Sequence, residues 1–172
     1  MLNDIDSLME KYEIDGLFTF DIPFQSPNLL WLTGFRTSDN ILYLKNKGEE
    51  GVIGASFNQI GRVENESFIK RVYDLSEYIV QLLKENKVVR DNRDALIGPM
   101  LRDEFSGSTL GVPDEIPASI LVTLQKLGYN VKVVRDLVPD ARATKSADEV
   151  KMIKKAGDAT VEAIKEVVVH CM

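Results

Sequence analysis

Apolar residues along the chain first recur at helical spacing and then form short continuous runs. Leu2, Ile5, Leu8, Met9 and Tyr12 fall three or four positions apart, with acids and a lysine between them, which predicts an amphipathic helix. The apolar runs that follow are too short for helices and rich in aromatic and β-branched residues, so they predict buried strands. The predicted strands are residues 17–20, 41–44, 52–57, 68–73, 109–112 and 131–134.

Helices are predicted between the later strands. Ser76 can cap a helix over 77–85, where apolar residues form one stripe. Residues 91–105 also have a helical pattern, with Pro99 inside it, and a proline there should kink the helix or split it in two. A proline in the first turn and a glycine at the end define a further helix over 117–128.

The order of these elements predicts the fold class. Residues 47–51 read Lys-Gly-Glu-Glu-Gly, a turn composition, so the strands on either side should pair as an antiparallel hairpin. Helices alternate with the other strands, which predicts crossover connections. We therefore expect an α/β sandwich with a mixed sheet of about five to six strands flanked by helices. The polar segment 58–67 is not assigned by this pattern.

The segment 26–40 combines an apolar turn with a polar loop. Asn28 can cap a short helix, three leucines and Trp31 would bury most of it, and Gly34 can end it in the left-handed conformation. Residues 35–39 have no apolar period and are predicted to form an exposed loop on a buried base. The alternative is an ordinary core turn followed by a solvated loop.

The last segment differs from the rest. Residues 139–142 have a linker composition, and Ser146 with Glu149 forms a capping box that begins a long helix. This helix could run to the end of the chain, and its apolar stripe must be covered by something. The chain stops inside it, so we expect a chain that is cut off within a larger protein. The stripe consists of Val150, Ile153, Gly157, Val161, Ile164 and Val168.

Composition and charge exclude several classes of function. A chain of 172 residues that is 44% hydrophobic and 28% charged is typical of a soluble globular protein. Its net charge of −6 and scattered basic residues argue against a nucleic-acid surface. No apolar run reaches the length of a membrane span, and the N-terminus has no signal-peptide pattern. The single cysteine, Cys171, fits a reducing compartment, so we expect a cytoplasmic protein without a membrane partner.

Candidate catalytic chemistry is sparse in the sequence. A metal site needs several carboxylates and an imidazole, but His170 is the only histidine and its partners are missing. There is no G-x-S-x-G motif, and the glycines of 51–54 fit a hairpin better than a phosphate loop. Cys171 has no evident base, so an inert thiol is expected. We therefore predict neither catalytic residues nor metal ligands in this chain.

Two motifs resemble those of one enzyme family. The run Asn28-Leu-Leu-Trp-Leu-Thr-Gly-Phe35 resembles the "N-x-x-Y-L-T-G-F" run in the N-terminal domain of the creatinase/prolidase family, the Xaa-Pro peptidases. Residues 142–156, from Arg142 through Glu149 to Ala156, resemble the junction that leads into the catalytic domain of that family. The motifs follow in the expected order and spacing. The segment 86–107 fits the family pattern least well.

The resemblance implies a fold, a domain organisation and a cofactor. Residues 1–137 would be the creatinase/prolidase N-terminal domain, of ribonuclease H-like fold, and 138–172 the linker and first helix leading into a catalytic domain absent from this chain. That absent domain would hold two divalent metal ions (Mn, Co or Zn), which activate a water that attacks the peptide bond before proline. The chain itself would be the non-catalytic N-terminal domain of a metal-dependent Xaa-Pro dipeptidase or aminopeptidase and would be inactive alone.

The resemblance also implies a role for the loop. In this family it lies near the active site of the partner subunit of a homodimer, so Phe35, Arg36, Ser38 and Asp39 would help to shape the partner's substrate entrance. Arg36 could bind the carboxylate of a proline-containing peptide substrate by paired hydrogen bonds, and Phe35 could line an apolar wall. The alternative is a solvated loop with Phe35 folded into its own core.

Two further functions remain open from the sequence. The chain could belong to a peptide- or protein-binding module of a catalytically degenerate family member, in which the missing domain has lost its metal ligands. It could also be a free-standing α/β protein of unknown role, which would require the C-terminal helix to pack on its own sheet.

Overall fold

Helices and strands alternate along the chain, as the apolar pattern predicts. The computed structural model describes residues 3 to 171, and the side chains of 4 to 168. The strands are β1 Gly16–Asp21, β2 Ile41–Asn46, β3 Val52–Ala55, β4 Arg71–Asp74, β5 Thr109–Val112 and β6 Asn130–Val133. The helices are α1 Asn3–Lys11, α2 Pro27–Thr33, α3 Phe57–Glu66, α4 Ser76–Lys84, α5 Asp94–Glu104, α6 Ala118–Lys126, α7 Leu137–Ala143 and α8 Ala147–Cys171. A short 3-10 turn, Val89–Asp91, precedes α5.

The strands form one mixed sheet. Within the described residues it has six strands in the order β4-β3-β2-β1-β5-β6. β2 is antiparallel to both β1 and β3, while the β1–β5, β5–β6 and β3–β4 pairs are parallel. The predicted hairpin is present as the β2–β3 pair, with Tyr43 opposite Ile53. The predicted α/β class with a mixed sheet is therefore confirmed.

Successive residues of the strands alternate between two hydrophobic cores. Leu17 and Tyr43 belong to the core on one face of the sheet, which α1, α2, α3 and α7 cover. Phe18 and Leu44 belong to the core on the other face, which α4, α5 and α6 cover. This period of two follows from strand geometry, since neighbouring side chains point to opposite faces. The result is a three-layer sandwich in which both faces of the sheet are buried.

Helix α3 occupies the polar segment that the sequence did not assign. Ser56 takes the N-cap position, so Phe57, predicted as the end of a strand, begins the helix. The buried residues of α3 are Gln59 and Val63, too few to give an apolar stripe of helical period. The ion pair of Arg62 with the glutamate four residues later, at 2.7 Å, is the local pattern that favours a helix here.

Helix α7 occupies the segment predicted as a linker, so that prediction was wrong. Leu137, Val138 and Ala141 are buried in the core, which fixes the segment as a helix. Pro139 is its third residue, in the first turn, where a missing N–H costs no intrahelical bond. The larger compact unit of the chain ends at Ala141, so the predicted boundary after residue 137 falls within α7.

Two predicted helix caps are corrected by the structure. α2 is capped by Ser26, whose Oγ accepts a hydrogen bond from the N–H of Leu29 at 3.3 Å, and Asn28 lies in the first turn instead. At α4, Ser76 is the first helical residue and its N–H is donated to the carboxylate of Asp74 at 2.8 Å. The cap position requires extended backbone before the helix, which Ser26 has and Asn28 does not.

Pro99 lies in the middle of α5 without splitting it. The helix runs from Asp94 to Glu104, and Met100 and Leu101 beyond the proline remain buried. Pro99 provides no N–H for the carbonyl of Ala95. The burial of the residues that follow it holds the helix together.

The smaller compact unit, residues 142–172, contains α8. The predicted capping box is confirmed, because Ser146 N donates to Glu149 Oε2 at 2.8 Å and Glu149 N donates to Ser146 Oγ at 3.2 Å. The apolar stripe of α8 is exposed, as Ile153 and Val161 show. Among the described residues, α8 included, no helix combines the length and apolar content of a membrane span.

Asp15 connects the turn before β1 to the start of β5. Its carboxylate accepts hydrogen bonds from Ser108 N, Ser108 Oγ and Thr109 N at 2.8–2.9 Å, and its N–H is donated to the carbonyl of Thr109. The hydrogen bonds from Ser108 and Thr109, and then the nearby charge of Lys47, lower the pKa of Asp15. Because these bonds join segments more than 90 residues apart, they hold β1 and β5 in register.

We predict that Asp15→Asn lowers the melting temperature by several degrees at pH 7. The pKa of Asp15 is lower in the folded chain, so its carboxylate stabilises the fold above the unfolded value of about 3.9. That contribution is lost as pH falls through the folded value, so the two melting temperatures should converge in acid. Thermal unfolding from pH 7 to pH 2 measures this. Glu64→Gln is the control, because the carboxylate of Glu64 makes no hydrogen bond in the described part of the chain. Equal melting temperatures of Asp15→Asn and the parent at pH 7 would contradict the role of Asp15.

Candidate functional site

The loop 35–40 lies at the carboxyl ends of the other strands because β2 is antiparallel to both of its neighbours. The pairing pattern directs β1, β3, β4, β5 and β6 the same way and β2 the opposite way. β2 therefore begins at the edge where the other strands end, and the loop that enters it lies there. In open α/β sheets, ligands bind outside the carboxyl ends of the strands. We take this loop, which contains all four predicted entrance residues, as the candidate site.

The base of the loop is fixed by Thr33 and Gly34 at the end of α2. Thr33 Oγ1 donates to the carbonyl of Leu29 and accepts from the N–H of Phe35, and the Thr33 carbonyl accepts from Ser67 Oγ at 2.6 Å. Gly34 has a φ of 63°, the left-handed conformation that the sequence predicts for it. A Cβ at this position would lie 2.2 Å from the ring of Phe68. Both the backbone conformation and the space therefore require glycine.

Residues of the loop alternate between core and solvent. Phe35 and Thr37 are buried, with 0% and 4% exposure, whereas Arg36 and Ser38 are exposed. The N–H of Phe24 donates to the carbonyl of Thr37 at 3.1 Å, which holds the loop against the preceding one. Phe35 thus follows the alternative that the sequence left open, since its ring lies in the core of its own domain. The loop is more tightly held than its polar composition indicates.

Asp39 is held by a buried amide. Gln59, 7% exposed on α3, donates a hydrogen bond from Nε2 to Asp39 Oδ2, and the N–H of Asp39 donates to Thr37 Oγ1 at 3.2 Å. The Asp39 carboxylate remains on the exposed side of the loop. This contact fixes its orientation, because a buried amide has few alternative partners.

Arg62 of α3 braces the other end of the loop. Its guanidinium lies 5.1 Å from the ring centroid of Phe35, and its Nη2 donates to the carbonyl of Arg36 at 3.1 Å. Two further hydrogen bonds, at 2.9 and 2.7 Å, join it to Glu66. These bonds raise the pKa of Arg62 and lower the pKa of Glu66. Gln59 and Arg62 were not predicted as site residues, because the segment 58–67 was not assigned from the sequence; the Arg62–Glu66 spacing is the local signal that could have identified α3.

The exposed surface of the loop carries one cation beside one aromatic ring. The Arg36 guanidinium lies 5.6 Å from the ring centroid of Phe24, a side chain that is 64% exposed. Among the side chains that the structure describes, no carboxylate forms an ion pair with Arg36. Phe24 therefore supplies the exposed ring that the sequence assigned to Phe35. Arg36 and Phe24 together can bind a carboxylate next to an apolar group.

Metal ligands are not gathered in this part of the molecule. The described residues contain no group of three or more His, Cys, Asp or Glu side chains that could hold a metal ion. The side chains of His170 and Cys171, the remaining candidates from the sequence, lie outside those described. The site described here can bind and position a ligand through Arg36 and the held Asp39, but it offers no metal centre.

No family model and no curated protein matches this chain.

Structure comparison places the fold. The chain is similar to a prolidase from Pyrococcus horikoshii OT3 at 21% identity and a TM-score of 0.63, over 95% of this chain and 41% of that one. An Xaa-Pro dipeptidase from Bacillus anthracis matches at 14% identity and a TM-score of 0.69, over 96% of this chain and 42% of that one. The chain thus spans less than half the length of these two enzymes.

The chain also matches the structure of an isolated N-terminal domain, over nearly the whole length of that domain. The N-terminal domain of the cytoplasmic peptidase PepQ from Mycobacterium tuberculosis H37Rv is 16% identical with a TM-score of 0.55, over 81% of this chain and 95% of that one. The fold is therefore that of a creatinase/prolidase N-terminal domain, as the two motifs predict.

We predict that Gly34→Ala destabilises the chain more than Gly48→Ala. Both glycines have positive φ, so both variants lose roughly 1–2 kcal/mol to backbone strain. Only Gly34 has a neighbour in the way, and the half-exposed ring of Phe68 would have to swing aside. Urea unfolding measures the difference. Gly61→Ala, in open space within α3, should instead stabilise by about 0.5–1 kcal/mol. Equal losses of unfolding free energy in Gly34→Ala and Gly48→Ala would show that the ring of Phe68 does not resist a Cβ at position 34.

Proposed function

We propose that this chain is the non-catalytic N-terminal domain of a metal-dependent Xaa-Pro dipeptidase or aminopeptidase. In this proposal its loop shapes the substrate entrance of the partner subunit in a homodimer. The catalytic domain, with its two divalent metal ions, would follow α8 in the complete protein. The fold supports this proposal, because the matching structures include prolidases and an Xaa-Pro dipeptidase.

The observation that carries the proposal is the state of Arg36. Arg36 is exposed and pairs with none of the described carboxylates. Its backbone is held by Arg62 and its neighbours Phe35 and Thr37 are buried. An unpaired cation on a braced loop is arranged to meet a ligand from outside the domain.

A substrate carboxylate is the group that this arrangement fits. The planar guanidinium forms two parallel hydrogen bonds to a carboxylate, which fixes orientation as well as position. The exposed ring of Phe24 beside it would contact the apolar part of a proline residue. Asp39, held by Gln59, would repel a misplaced carboxylate and favour the positively charged amino end of a peptide.

The remaining parts of the proposal concern the complete protein. The metal ions would supply the activated water for hydrolysis, while this domain would bind and orient the peptide. The protein would act as a cytoplasmic homodimer, because the loop can serve an active site only if a second subunit brings one to it. The exposed stripe of α8 would be covered by the catalytic domain.

In the complete protein, we predict that Arg36→Ala raises KM for an Xaa-Pro dipeptide by about ten- to hundredfold. The loss reflects the hydrogen bonds to the substrate carboxylate, and kcat should change little because these bonds are made before the reaction. Steady-state kinetics with the dipeptide and with its C-terminal amide measure this. The amide lacks the carboxylate charge, so the variant should process it about as well as the parent.

Arg102→Ala is the matched control, because Arg102 is also an exposed arginine but lies on α5. It should leave both kinetic constants unchanged. Unchanged constants in Arg36→Ala, or an equal effect in Arg102→Ala, would exclude the loop from substrate binding.

A further inference from the structure

A cavity of about 290 Å³ lies at the same edge of the sheet, beneath α4 and the start of α5. It opens between the carboxyl ends of β1 and β3 and the first residues of β2. This volume is at the lower end of the range for small-molecule sites. Its apolar wall consists of Phe20, Leu42, Leu75, Ile79, Val89 and Leu96.

Two arginines line the mouth of this cavity. Arg93 is half-buried, with its guanidinium 4.8 Å from the ring centroid of Phe20, and its Nη1 donates to Ser119 Oγ at 3.1 Å. No described carboxylate lies within ion-pair distance of Arg93. Arg90 is exposed, and its Nε lies 3.8 Å from Asp91 Oδ1, at the outer limit of an ion pair. Both cations thus keep N–H donors available to a ligand.

Uncharged polar groups complete the lining. Asn40, the last residue before β2, and Ser56, the N-cap position of α3, both border the cavity. The lining therefore contains two cations and no carboxylate among the described residues. In a chain of net charge −6, a cavity with this balance selects for anions.

The cavity also occupies the position where α/β sheets bind ligands. The connection from β3 to β4 runs through α3 and places β4 at one edge of the sheet. The connection from β5 to β6 runs through α6 and places β6 at the opposite edge. These two helices lie on opposite faces of the sheet. The cavity lies between the two halves, at the carboxyl ends of the strands, where ligands bind in open sheets.

We propose that this cavity binds a small-molecule carboxylate with an apolar body. The six apolar side chains would contact the body, and Arg93 and Arg90 would bind the carboxylate at the mouth by charge-assisted hydrogen bonds. Inorganic phosphate or another fully hydrophilic anion would leave the apolar wall unfilled, and a neutral apolar molecule would leave both guanidinium groups unused. The site shares Asn40 with the loop 35–40 but does not include Arg36, and it does not rest on the peptidase proposal.

Titration of the isotope-labelled 172-residue chain with 4-phenylbutyrate tests this by NMR. We expect saturable shifts of backbone amides around the cavity, at residues 40–42, 55–56 and 89–96. The comparison ligands are 4-phenyl-1-butanol, which has the apolar body without the charge, and acetate, which has the charge without the body. Each should bind at least about tenfold more weakly than 4-phenylbutyrate, because charge-assisted hydrogen bonds and apolar burial are each worth more than 1.4 kcal/mol.

Variants separate the arginines from the rest of the chain. Arg90→Gln and Arg93→Gln should each weaken 4-phenylbutyrate binding by about tenfold and leave the binding of the alcohol unchanged. Arg102→Gln, an exposed arginine near the end of α5, should change neither. Arg90 makes no hydrogen bond in the described structure that its replacement would break, so Arg90→Gln provides the test even if Arg93→Gln fails to fold.

Three results would overturn the proposal. One is the absence of saturable shifts at millimolar 4-phenylbutyrate. Another is equal affinity for the carboxylate and the alcohol, which would mean that the arginines take no part. The third is full retention of affinity in Arg90→Gln together with any folded Arg93→Gln.

Discussion

The reversed direction of β2 is the constraint on which the rest of the structure depends. Five strands run one way, and β2 enters the middle of the sheet against them. A strand that runs backwards must begin at the edge where its neighbours end, so the segment that feeds it is carried to that edge. The Arg36 loop and the mouth of the apolar cavity therefore both lie where the other strands have their carboxyl ends, although different helices line them. With β2 parallel, the loop would have entered from the opposite edge.

Polar residues of α3 hold the loop 35–40 in place at these strand ends. The helix contributes little to the core, but Gln59 and Arg62 reach the loop and hold its aspartate, its backbone and the buried ring of Phe35. Charged and amide groups do this well because each contact is directional. The loop thus combines a backbone held by hydrogen bonds with an exposed Arg36 that makes no ion pair with a described carboxylate.

The two hydrophobic clusters arise because successive side chains of the central strands point to opposite faces of the sheet. β1, β2 and β3 each contribute buried residues to both hydrophobic clusters, so the centre of the sheet is stabilised from both faces. The hydrogen bonds of Asp15 add a specific connection between β1 and β5 across a long separation in sequence.

The sequence by itself determined the elements whose signal is local. Short apolar runs rich in aromatic and β-branched residues identified the strands, and the turn at 47–51 identified the hairpin. The Ser146–Glu149 pair began α8, and Gly34 ended α2. Only the tertiary structure decided the elements whose stabilisation comes from distant contacts. α3 buries only Gln59 and Val63 among its residues, and α7 is a helix because the core covers Leu137, Val138 and Ala141. The same reason explains the site. Phe35 is buried and Phe24 exposed because α3 and the loop before α2 pack around the segment, and no pattern within residues 35–39 records that packing.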